Sequence, residues 1–169
     1  MTGEFAKRLF TFIAAASLVV FTGWGVASGS PNRRHELVGT WSVTVQLNNC
    51  SGTAIGSPFQ SLLTFEDGET MIEDTMNPSF AAGQRGTGHG VWEYQGEHTY
   101  SAKSVAFINF TTVPPPPPGF FAGTQTISQT IEFNNGPDQW TSDAKIEFAD
   151  TSGTIYRQGC ATASGQRLE

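Results

Sequence analysis

The chain has 169 residues, a length that fits one domain once a leader is set aside. Fifteen acidic residues against nine Lys and Arg give a formal charge of −6, and no basic cluster lies beyond the leader, so a phosphate backbone is repelled and nucleic acid is not the expected partner. Two cysteines and three scattered histidines share no ligand spacing, so neither a metal site nor a cofactor is expected.

The chain opens with Lys7 and Arg8, an apolar run from Leu9 to Val20, and the small residues Gly25-Val26-Ala27. This is the pattern of a signal peptide over residues 1–27, cut after Ala27. A membrane anchor is the competing reading. A spanning helix wants about 20 apolar residues, and this run is interrupted by Thr11, Ser17, Thr22, Gly23 and Gly25. After cleavage no membrane span remains, and the protein is expected to be secreted or periplasmic. Residues 28–36 read as a flexible N-terminal segment and 37–167 as the folded domain.

Beyond residue 36 there is no amphipathic helical period. Runs rich in Thr, Val, Ile, Phe and Trp alternate with Gly-rich turns, which is strand composition. Eight strands are predicted, at about 37–48, 61–66, 69–74, 88–95, 98–110, 123–134, 139–149 and 154–164. The second and third meet at Asp67-Gly68, a hairpin dipeptide. The fourth and fifth meet at Gln95-Gly96-Glu97, and the sixth and seventh around Asn135-Gly136-Pro137-Asp138. The joints between these hairpins are about twelve residues long, longer than hairpin loops usually are. In an up-and-down meander the long joints all fall at one end, the mouth, and the short turns close the other. Eight strands suit a closed antiparallel barrel, whose interior is filled by side chains or holds one small ligand.

Period-two alternation assigns the faces. In the seventh run Trp140, Ser142, Ala144, Ile146 and Phe148 share the inner face, against Thr141, Asp143, Lys145 and Glu147. Trp41, Val43, Val45 and Leu47 point inward from the first run. Gly90, Trp92 and Tyr94 do so from the fourth, and Tyr100, Ala102, Ser104 and Ala106 from the fifth. The sixth run turns Ile127, Ile131 and Phe133 inward, and carries Gln125 and Gln129 with them. The small residues of the fifth run leave room for a cavity. The two glutamines need partners if buried, either each other, Ser104 and water, or a ligand. The predicted lining is Trp92, Tyr94, Tyr100, Ala106, Gln125, Gln129 and Trp140.

In an oxidising compartment Cys50 and Cys160 are expected to form one disulfide, with two free thiols as the alternative. A bridge from the end of the first run to the last requires those strands to be neighbours, as barrel closure makes them. Closing a loop of about 110 residues is worth roughly 4–5 kcal/mol in the chain-entropy account.

Gly39-Thr40-Trp41 opens the first strand of this exported eight-strand pattern and resembles the lipocalin/calycin signature. The resemblance covers residues 37–167 as a pattern. The Thr-Asp-Tyr run of lipocalins is absent, and another calycin-like or cyclase-type barrel group is the alternative. The resemblance implies a Trp plugging the closed end and an Arg near the last strand packed over it. Setting Cys50 opposite Cys160 places residue 43 opposite 167. Arg167 then lies one diagonal step from Trp41, whereas Arg157 falls near the mouth.

His89 lies between Gly88 and Gly90 and shares parity with Glu93, so the two form either an acid–base pair or a pair on the outer face. No nucleophile elbow or phosphate loop appears, and no catalytic residue is assigned. Pro114 to Pro118 must be extended polyproline II, followed by Phe120 and Phe121. This is a strap across the mouth with the phenylalanines as a lid, a linker packing on the rim, or a docking motif. Asn49-Cys50-Ser51 and Asn109-Phe110-Thr111 fit the glycosylation sequon. The leading function is a secreted barrel holding a small apolar or amphipathic molecule. The others are a barrel-type cyclase or isomerase, and a protein-binding inhibitor or adhesion module with a filled core. Sequence fixes neither ligand nor oligomeric state.

Overall fold

The computed structural model describes residues 35–111, 122–134 and 136–169. The proposed signal peptide, most of segment 28–36, and Pro114 to Pro118 with Phe120 and Phe121 lie outside the described residues. The strands are β1 (Gly39–Asn48), β2 (Phe59–Phe65), β3 (Thr70–Thr75), β4 (Gly88–Gly96), β5 (Thr99–Ile108), β6 (Gly123–Glu132), β7 (Gln139–Ala149) and β8 (Ile155–Arg167). Each pairs antiparallel with the next, and β8 returns to β1, so the sheet is a closed up-and-down barrel. The last strand runs three residues further than the sequence suggests, to Arg167.

Alternation sorts the walls as the sequence pattern requires. In β7 Trp140, Ser142 and Ile146 are buried while Thr141, Asp143 and Lys145 are exposed. Most outward positions are Thr, Ser, Gln or charged, and the inner ones are mostly apolar. A membrane-spanning barrel has the opposite arrangement, with an apolar outer band.

Cys50 and Cys160 are disulfide-bonded, with Cα atoms 5.0 Å apart. The register behind that bond differs from the expected one by two residues. Asn48 faces Cys160 and Trp41 faces Arg167 directly. The reason is local. Cys50 lies past the end of β1 at φ 61°, in a turn held by side chains. Asn48 Oδ1 accepts the Cys50 amide at 2.9 Å, and Asn49 Oδ1 accepts the Thr53 amide at 3.0 Å. The chain therefore curls back before the cysteine, and the bridge sits beyond the ladder.

The closed end is packed with rings. Trp41 meets Phe133 at 5.6 Å and Trp140 at 5.9 Å, and Trp92 meets Tyr100 at 5.9 Å and Phe65 at 6.4 Å. Leu37, Met71 and Ile131 complete this cluster. Two of its indoles reach backbone partners, Trp41 Nε1 donating to the Leu37 carbonyl at 2.9 Å and Trp92 Nε1 to that of Glu66 at 3.0 Å, whereas Trp140 Nε1 is buried without one among the described residues. Burial holds the Tyr100 hydroxyl in its neutral form and pushes its pKa well above 10.0, with the Glu36 carboxylate adding to the rise.

Arg167 caps this plug. Its guanidinium carbon lies 4.2 Å from the Trp41 ring centre, within cation–π range. Its nitrogens donate to the carbonyls of Val38 (2.7 Å), Glu36 (2.5 Å) and Pro137 (3.1 Å), and to Asp138 Oδ1 (3.0 Å). Gly39 permits this arrangement twice over. It sits at φ 133°, and a Cβ there would fall 2.7 Å from Arg167 Nη1. The leading residues His35 and Glu36 are held here too, by Asp67 at 2.5 Å and His98 at 3.2 Å.

Candidate functional site

The other half of the barrel is built differently. Above the aromatic plug the inner wall carries Ser61, Ser104, Ala106, Gln125, Gln129, Ala144, Ala161 and Ala163 (side chains too small or too polar to fill it with hydrocarbon). Two spaces result. A small inner cavity of about 50 Å³ is bounded by residues that include Val43, Ser61, Glu73, Gln125, Gln129 and Ala161. A larger one of about 500 Å³ opens at the mouth, among Leu47, Ile55, Phe80, Ile108, Phe148 and Tyr156. Leu47, Asn77, Gln125 and Ile146 border both, so the smaller space lies directly beneath the larger.

Beside the inner cavity lies a buried charged network, reached through Glu73 and Gln125. Glu73 follows Met71 on the inner face of β3, and Arg85 enters from the loop after that strand. That loop is fixed by backbone bonds, from the Gly86 amide to the Phe107 carbonyl at 2.9 Å and from the Asn109 amide to that of Gln84 at 2.8 Å. Arg85 Nη2 donates to Glu73 Oε1 at 2.8 Å, and the two side chains are 4% and 6% exposed. Ser104 Oγ donates to the other Glu73 oxygen at 2.8 Å. Arg85 Nη1 donates to its neighbour's carbonyl, that of Gly86, and Nε donates to Gln125 Oε1. A buried charge pair is tolerated only when paired and hydrogen-bonded on its remaining atoms, and this one is.

Of two inward glycines of β4, Gly88 makes room for it and Gly90 for the backbone of β5. A Cβ on Gly88 would lie 2.8 Å from Glu73 Oε2, and one on Gly90 would lie 1.9 Å from the Lys103 carbonyl oxygen. The glycines flanking His89 thus serve the interior, while His89 and Glu93 are exposed on the outer wall.

The rim is aromatic. Phe148 meets Phe80 and Tyr156, each at 6.3 Å, and the Arg157 guanidinium lies 5.5 Å from the Phe148 ring centre. Ile55, Met76, Phe107, Ile155 and Tyr156 are exposed at this end. Asp150 closes the β7–β8 turn. Its carboxylate accepts the Ser152 hydroxyl at 2.6 Å and the Thr154 amide at 2.9 Å, which lowers its pKa.

The residues offered by sequence as lining divide between the two halves. Trp92, Tyr100 and Trp140 belong to the closed-end cluster, and Tyr94 packs against it. Gln125 and Gln129 border the cavities. Ala106 is buried opposite Gln125 in the β5–β6 ladder and presents only a methyl group beside it. Glu73 and Arg85 were not singled out by sequence, although Glu73 borders the inner cavity and Arg85 pairs with it.

The fold defines the class: an eight-stranded closed antiparallel barrel, compatible with the calycin type, with a sealed end and a hollow one. No family model matches this chain, and no curated protein matches it.

Proposed function

We propose that the protein is a secreted β-barrel binding protein that holds a small apolar or amphipathic ligand in the mouth half of the barrel. The observation that carries this reading is the mouth cavity of about 500 Å³, ringed by Leu47, Ile108, Phe148 and Tyr156 and floored by polar groups. Ligand sites are concave, mostly apolar, roughly 300–1,000 Å³ in volume, and carry a few placed polar groups. The inner cavity of about 50 Å³ suits water and not a ligand, so the ligand rests at the mouth. The disulfide supports an exported location, and the Trp41–Arg167 contact supports kinship with the lipocalin/calycin group.

The test is titration with the neutral dye N-phenylnaphthylamine. Saturable fluorescence enhancement with one dye per chain is expected, and Leu47→Trp, which fills the space, should abolish it without changing the circular dichroism spectrum. An unsaturable signal, or one indifferent to that substitution, overturns the reading.

A further inference from the structure

Gln125 is the only predicted lining residue that borders both cavities, and its amide has a fixed orientation. An Arg side chain only donates hydrogen bonds. Because Arg85 Nε points at Gln125, the atom facing it must be the carboxamide oxygen, and the NH2 group is turned away. Gln125 is 4% exposed, and among the described residues its nitrogen has no hydrogen-bond partner. The NH2 group therefore has no protein partner among the described residues and opens onto the hollow half, where Gln125 borders both cavities. The charges beside Gln125 are matched, since Glu73 and Arg85 neutralise each other, and Arg157 stands apart at the rim over Phe148.

We propose that Gln125 is the headgroup-recognising residue of the site, and that its ligand is a neutral amphiphile whose buried end bears a hydrogen-bond acceptor, such as a ketone or ester carbonyl. The inference rests on the binding reading above and deepens it. A donor without a competing charge selects a neutral acceptor. A carboxylate carried down to Gln125 has to shed its water away from Arg157, which lies at the rim. A plain hydrocarbon fills the space but leaves the amide unpaired.

The experiment is displacement of N-phenylnaphthylamine by three probes of matched chain length: methyl nonyl ketone, undecane and undecanoate. The ketone is expected to bind about tenfold tighter than undecane, the worth of one well-made hydrogen bond, and tighter than undecanoate. Gln125→Leu should bring the ketone down to the level of undecane while leaving undecane unchanged. Should that variant fail to fold, the infrared carbonyl band of the ketone bound to the unmodified protein decides, because a donated hydrogen bond lowers it relative to hydrocarbon solvent. Equal binding of ketone and undecane, an unshifted band, or tightest binding of undecanoate overturns the inference and leaves the binding reading standing. If neither the dye nor any probe binds, both fall.

Discussion

The two ends of one barrel solve the problem of filling a cylinder in opposite ways. At the closed end bulky rings meet edge to face around Trp41, and Arg167 covers them from outside. Towards the mouth Ala, Ser and Gln stand between the larger Leu47, Ile146 and Phe148, and a buried ion pair there must be satisfied from three directions. The same eight strands pass through both regions. The contrast therefore comes from side-chain volume and not from backbone architecture. It separates two tasks: the closed end supplies stability, and the mouth end gives up packing in exchange for space.

The largest expected effect breaks the mouth end without touching its cavity. Removing the bridge with Cys50→Ala and Cys160→Ala releases a loop spanning 110 residues and should cost about 4–5 kcal/mol in urea unfolding, given chain entropy alone. A loss under about 1 kcal/mol shows that the strands hold the seam unaided.

Next come two core variants that set the regions side by side. Glu73→Ala strands the Arg85 charge and should destabilise by about 3–5 kcal/mol, whereas the joint replacement Glu73→Leu with Arg85→Met should recover most of that loss. Trp41→Ala, at the other end, should cost a similar 3–5 kcal/mol through lost area and a cavity. The binding assay distinguishes them. Among correctly folded molecules, dye affinity should change with the first pair and hold with Trp41→Ala.

Arg167→Met keeps much of the stem over Trp41 and loses the charge-assisted bonds to Val38, Glu36 and Asp138. A cost of about 2 kcal/mol is expected, smaller than for the tryptophan it covers. The smallest effect is a matter of pH. The folded protein holds Tyr100 above its ordinary pKa of 10.0, so the unfolded chain gives up that proton first. Stability contributed by this group is present below pH 10.0 and falls as pH rises through the alkaline range. Tyr100→Phe should flatten that part of the stability curve, and an unchanged alkaline slope would remove Tyr100 as its source.

Much of the barrel was legible because alternation in its strands is unambiguous. In β7 the order Trp140, Thr141, Ser142, Asp143 leaves one way to face the core. The disulfide and the ring closure followed from Cys50 and Cys160 standing at the ends of the meander. The register was two residues out because a cysteine in a turn says nothing about ladder pairing. The ion pair beside the inner cavity was hidden for a similar reason. In β3 the order Met71, Ile72, Glu73, Asp74 puts two apolar residues before two acids, so parity could not be read from hydropathy. The structure buries Met71 and Glu73 and turns Ile72 and Asp74 outward. Arg85 lies in a loop, where no period exists to place it. A paired charge in a barrel is visible only once both partners have positions.

The ring of strands has one further consequence. Every strand has a neighbour on each side, so among the described residues no strand edge is left open to a second chain. The seam between β1 and β8 is riveted at the mouth by a covalent bond and at the base by the Arg167 side chain reaching across to Val38 and Glu36. A reducing environment draws the first rivet and leaves the second, together with the ladder from Trp41 to Asn48 that holds the ring shut.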